Sequence, residues 1–94
     1  MQIEFAGEIF YWRGPAPYLF VEVPAEPSAA LKAISTSVTY GWGVIPVRVQ
    51  IGATVWQTSL FPKAGRYLVP IRISVQKAES LAVGDQVLIH LEVA

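Results

Sequence analysis

Residues 52–70 read GATVWQTSLFPKAGRYLVP, a stretch in which Trp56, three hydroxyls, Lys63 and Arg66 surround a Phe-Pro pair with no acid among them. Hydroxyls and a guanidinium that converge beside an aromatic wall hold a carboxylate or a phosphate. Adjacent residues of a strand face opposite sides, so of Thr58 and Ser59 it is Thr58 that shares the Trp56 face. Arg48 joins the two bases only if the polar face of its own strand opens toward the same end. The candidate ligand set is therefore Arg48, Trp56, Thr58, Lys63 and Arg66, for a small anion or an acidic patch on a partner. Against it stands a structural reading: Trp56 packs in a core or an interface, and the hydroxyls bond across strands. In that reading Glu4, Glu8 or Glu92 from the terminal strands neutralises the bases, and the stretch is a turn in a sheet.

Little else in the chain could carry a reaction. His90 is the single histidine, so any triad or imidazole-bound metal must pass through it. It falls in an alternating strand, turned away from Val87, Ile89 and Leu91, with Glu92 on its own face. Two such residues do not make a metal site. Glu4 and Glu8 share a strand face but stand about 13 Å apart, too far for a carboxylate pair. Cysteine is absent, which removes disulfides, thiolate ligands and a cysteine nucleophile. There is no phosphate-binding glycine loop, zinc spacing or nucleophile elbow. The expectation is a non-catalytic protein without metal or cofactor.

Charge is segregated along the chain although it sums to zero. Between Pro27 and Ala78 lie six bases, Lys32, Arg48, Lys63, Arg66, Arg72 and Lys77, and no acid; the flanks hold seven acids and Arg13. Such asymmetry suits a partner that reads charge, unless terminal strands pair with central ones and the signs interleave in space. With seven bases and a pI near 6.5, nucleic acid is a disfavoured partner.

The elements that must position these groups are mostly strands. QIEFAGEIF sets Ile3, Phe5 and Ile9 against Gln2, Glu4 and Glu8, the period of a half-buried strand. At Ile9, Phe10, Tyr11 and Trp12 the apolar run is continuous, so both faces are covered there or the strand bends through a bulge. YLFVEV, after a loop with Pro15 and Pro17, repeats the two-sided pattern. EPSAALKAIS reads as a short helix with Pro27 at its first position. TSVTYGWG reads as a loop bracketed by Gly41 and Gly43. VIPVRVQI and TVWQTSL form a hairpin about Gly52, residues 61–65 a turn, and residues 67–71 a fifth strand. RISVQKAES spaces Ile71, Val75 and Ala78 as one inward helical stripe. After a Gly84-Asp85 turn, QVLIHLEV is the last strand.

Six strands and two short helices in 94 residues make a single domain, 1–94. The economical arrangement is a closed or nearly closed barrel, because closure removes unpaired edges. Hydrophobic residues are 53% of the chain, against a usual share of about 45 to 50%. Some of that surplus, including Phe10, Tyr11, Trp12, Tyr18 and Phe20, is expected at the surface, which predicts a homodimer. The acid-bearing amino terminus and the lack of a spanning apolar run predict a cytoplasmic protein without membrane contact.

The Gly-aromatic-Gly loop at residues 41–43, Val47-x-Val49, Ile51-Gly52, WQTSLFP at residues 56–62, YLVP at residues 67–70 and GDQV at residues 84–87 together resemble the bacterial DUF1905 family. The amino half fits more loosely, through Trp12 and YLFVEVP. The resemblance implies a small β-barrel of the double-split type and leaves activity open. After YLVP the family tends to carry bases, where this chain has Arg72 but Gln76.

Overall fold

The computed structural model describes residues 1–13, 17–38 and 44–93, and the side chains of all of these except 17–18 and 36–38. The alternating runs become β1 (Gln2–Arg13), β2 (Pro17–Glu22), β3 (Ile45–Ile51), β4 (Thr54–Lys63), β5 (Arg66–Ile71) and β6 (Gln86–Val93). Helix α1 (Ala25–Val38) joins β2 to β3, and α2 (Ile73–Ala78) lies between β5 and β6. The strands close into an antiparallel barrel in the order β1-β2-β5-β4-β3-β6, so the fold is mainly β with two helices, as the pattern predicts. Pro15 and the loop at residues 41–43 lie outside the described residues.

Two strands are long enough to divide their length between neighbours. Residues 2–8 of β1 pair with β6 and residues 9–13 with β2. Residues 54–60 of β4 pair with β3 and residues 61–63 with β5. Alternate residues point inward, among them Phe5, Ile9, Val47, Val49, Trp56, Val69, Ile89 and Leu91, and form one buried cluster. The continuous apolar run in β1 needs no bulge, because its register against β2 is regular. Ile9 faces the interior, while Phe10 and Trp12 pack outside on Phe20.

Turn chemistry fixes the hairpins. Gly52, at φ 57°, leads a two-residue turn between Ile51 and Thr54. Between β4 and β5 the turn is Ala64 and Gly65, at φ 51° and 80°, the backbone of a type I′ turn. The turn expected at residues 61–65 thus shrinks to two residues, and Phe61, Pro62 and Lys63 belong to β4. Pro62 lies past the last β3 pair, Ile45 with Leu60, and next to the hydrogen-bonded pair Lys63 and Arg66, so its missing N–H removes no ladder bond.

Helix α1 starts at Ala25, so Pro27 falls in its first turn and not at its first position, still where an N–H has no partner within the helix, and it runs to Val38, three residues into the stretch expected as a loop. It turns Ser28 and Leu31 inward, both fully buried, over the end of the barrel where β3 and β5 begin. Ser28 Oγ donates to the Val23 carbonyl at 3.0 Å and accepts the Tyr67 N–H at 3.3 Å, while the Val23 N–H reaches the Tyr67 carbonyl at 2.8 Å. Ser28→Ala leaves the Tyr67 N–H unpaired in the interior. A loss of about 1 to 3 kcal/mol in urea denaturation is the expected result.

Helix α2 departs from the expected stripe. Ile71 belongs to β5, Ala78 is exposed, and Val75 alone is buried. Along residues 54–60 β4 has a strand on its β3 side only, and α2 is tied to that stretch at both ends. Arg72 Nη2 donates to the Gln57 carbonyl at 2.7 Å, and Glu79 Oε2 accepts from Thr54 Oγ1 at 2.6 Å. Arg72 and Glu79, which flank α2, thus occupy polar groups on the side of β4 that has no strand, and an occupied edge is less free to pair with another chain.

Candidate functional site

The register sends the five candidate residues to three places. Arg48 points outward from β3, opposite Glu92 of β6 and Gln57 of β4, and makes no ion pair among the described residues. It shares an open groove of about 300 Å³ with Pro46, Val47, Gln57, Thr58 and Glu92. Trp56 points into the barrel, is 8% exposed, and its Nε1 meets no acceptor among the described residues. Thr58 lies half-buried on the same face, two residues on. Lys63 and Arg66 stand side by side at the tip of the β4–β5 hairpin.

The Trp56 ring is therefore inside the barrel wall and the two bases are outside it, so they form no common pocket. Parity carries that signal. Lys63 stands seven positions after Trp56, an odd offset, and along an unbroken strand the two must face opposite sides. Reading residues 61–65 as a turn conceals it, because a turn resets the parity.

The bases find different partners. Arg66 Nη1 lies 2.7 Å from Glu22 Oε1, with both side chains nearly half exposed, a pair worth about 0 to 1 kcal/mol. Lys63 Nζ stands 5.0 Å over the Trp12 ring, within range of a cation–π contact. Of the terminal-strand acids, Glu92 stands opposite Arg48, and Glu4 Oε2 sits 3.0 Å from His90 Nδ1. The signs thus interleave in part, with Glu22 of β2 at Arg66. Among the described residues no three of His, Asp and Glu gather as a metal site would require. No helix among them is long and apolar enough to cross a membrane.

A feature of the outer wall is less visible in the sequence. Phe20 lies 6.2 Å from Phe10, 5.4 Å from Trp12 and 6.5 Å from Phe61, centroid to centroid. Phe20 and Leu68 face away from the barrel interior yet are 2% and 1% exposed, and Phe61 at the rim is 42% exposed. The register explains the gathering: Phe10 pairs with Phe20, Phe20 with Pro70, and Leu68 with Phe61. The wall of β1, β2, β5 and β4 carries a second apolar layer outside the first. Phe10, Trp12 and Phe20 are legible as surplus aromatics, whereas Phe61 is hidden by the misplaced turn.

With this geometry in place, the model of the family described as "Domain of unknown function (DUF1905)" matches residues 5–91. The chain belongs to the DUF1905 family. No curated protein matches it. In this DUF1905 domain most motif residues have structural tasks. Gly52 opens the β3–β4 turn, where a Cβ would run into the Glu79 carboxylate, and Trp56 fills the barrel. Tyr67 meets Ser28 through its N–H. Gly84, at φ 93°, donates its N–H to the Ile9 carbonyl, and Asp85 Oδ2 accepts the Ala82 N–H at 2.8 Å.

Proposed function

We propose that this DUF1905 domain is a small non-catalytic module that presents an interaction surface, and that it acts as a homodimer joined through the outer aromatic layer. The observation that supports the reading is the ring cluster of Phe10, Trp12, Phe20 and Phe61 on the outside of a barrel that already has a full core within. Exposed Phe61 and half-buried Phe10 and Trp12, gathered about a buried Phe20, make an apolar patch of the kind that marks contacts between proteins, and a single patch repeated across a two-fold axis complements itself. The partner switching of β1 and β4 supports placing the barrel in the double-split group. A bacterial cytoplasm is the setting proposed with it: the family resemblance supports the bacterial source, and the acids at Glu4 and Glu8 support the compartment.

Light scattering at high micromolar concentration should return the dimer mass. Phe61→Glu, a change at the exposed rim, should raise the dissociation constant by about tenfold or more with the circular dichroism spectrum unchanged. A monomer mass for the wild type at that concentration, or a dimer indifferent to Phe61→Glu, overturns the proposal.

A further inference from the structure

We propose that the groove between α1 and the β4–β5 hairpin binds a small phosphate-bearing anion, held by Lys32, Lys63 and Arg66. The groove is open, about 350 Å³ in volume, and is lined also by Ser35, Gly65 and Tyr67. It is not the site that the sequence suggests, since Arg48, Trp56 and Thr58 have no part in it.

A two-residue turn makes Lys63 and Arg66 a directly opposed pair, and its two left-handed residues leave no slack in the register. Like charges directly opposite destabilise a sheet. Helix α1 adds a third base, Lys32, which is exposed and has no ion pair among the described residues. Among the described residues no acid lines the groove, and the one acid paired with its bases is Glu22, on Arg66. Three bases and one acid give the hairpin and the facing helix a net +2, with the Lys63 head on the Trp12 ring and the Arg66 head on Glu22 when no anion is bound.

The contacts that restrain these bases are easily exchanged. Arg66 and Glu22 are 44% and 48% exposed, and Lys63 is held by a ring face rather than a carboxylate. A guanidinium has five N–H donors, so Arg66 can keep Glu22 on Nη1 and still offer donors to a second anion. Ser35 takes no part as a donor, because its hydroxyl already bonds to the Lys32 carbonyl at 2.8 Å. A phosphate carries more negative charge than a carboxylate and more terminal oxygens over which to spread three cationic donors, so it gains more from this set of bases. An exposed site of this kind gives an affinity that falls as salt rises.

The test is a titration of the uniformly 15N-labelled protein with inorganic phosphate, followed by amide shifts, with acetate at matched ionic strength as the comparison. Saturable shifts at Lys32, Ala64, Gly65 and Arg66 are expected, weaker with acetate and weaker in high salt. Lys32→Gln combined with Lys63→Gln should weaken phosphate binding by about tenfold or more. Both side chains are exposed, so the melting temperature should hold, and Lys32→Gln alone should weaken binding in the same direction. Absence of saturable shifts at these amides, acetate binding as well as phosphate, or unchanged affinity in the double variant would each overturn the assignment.

Discussion

Trp56→Ala is expected to remove about 3 to 5 kcal/mol of stability, as other large-to-small changes at buried aromatics do. Domains have about 5 to 15 kcal/mol in total, so the variant should sit close to unfolding at room temperature. The reason is position: Trp56 is inward in β4, opposite Val49, within the single core cluster of the barrel. Its indole N–H adds a second, separable term, because that donor is buried with no acceptor among the described residues. Trp56→Phe keeps most of the ring and discards the donor, so the gain from removing an unmet N–H offsets part of the lost packing. It should fall within about 1.5 kcal/mol of the wild type. Urea denaturation of both variants decides the matter. An alanine variant as stable as the parent would place Trp56 outside the core and restore it as a contact residue.

Period-two alternation makes the strands legible, and it does so best where a strand has one covered face. β3 and β6 follow their expected ranges closely because Arg48, Gln50, His90 and Glu92 break their apolar runs on a strict beat. The pattern loses information where both faces are covered. In β1 the run from Ile9 to Trp12 leaves open whether the strand bends, and only the pairing with β2 shows that it does not. The site suffers from the same ambiguity one step later. Phe61-Pro62 looks like a turn because proline lacks a ladder donor, yet β3 has ended before Pro62 and no donor is needed there. One misplaced turn then misdirects Lys63, Arg66 and Phe61 together. Lys32 is invisible for a different reason: a helix-borne base approaches the hairpin only through the packing of α1 over the barrel end, and no local spacing encodes that.

Gly7→Ala should also destabilise, although exchanging glycine for alanine in a strand ordinarily helps by about 0.5 to 1 kcal/mol through the unfolded chain. A Cβ on Gly7 would lie 2.5 Å from Val21 Cγ1, well inside contact distance, so something must move. Val21 is poorly able to. It is fully buried, its register is fixed by Ile9 on one side and Val69 on the other, and its branched side chain has little freedom about χ1. Gly7 stands two residues before the point where β1 passes from β6 to β2, which is where Val21 crosses over the strand. Overpacking of this kind costs about 1 to 3 kcal/mol, which exceeds the entropic gain. The cause can be isolated by shortening the obstacle. Val21→Ala opens a cavity and is destabilising alone, but in Gly7→Ala/Val21→Ala the new methyl occupies part of that space. The double variant should therefore lose less than the sum of the two single losses, by about 1 kcal/mol or more. Simple additivity in thermal or urea denaturation would show that the Gly7 position is constrained by its backbone and not by the valine above it.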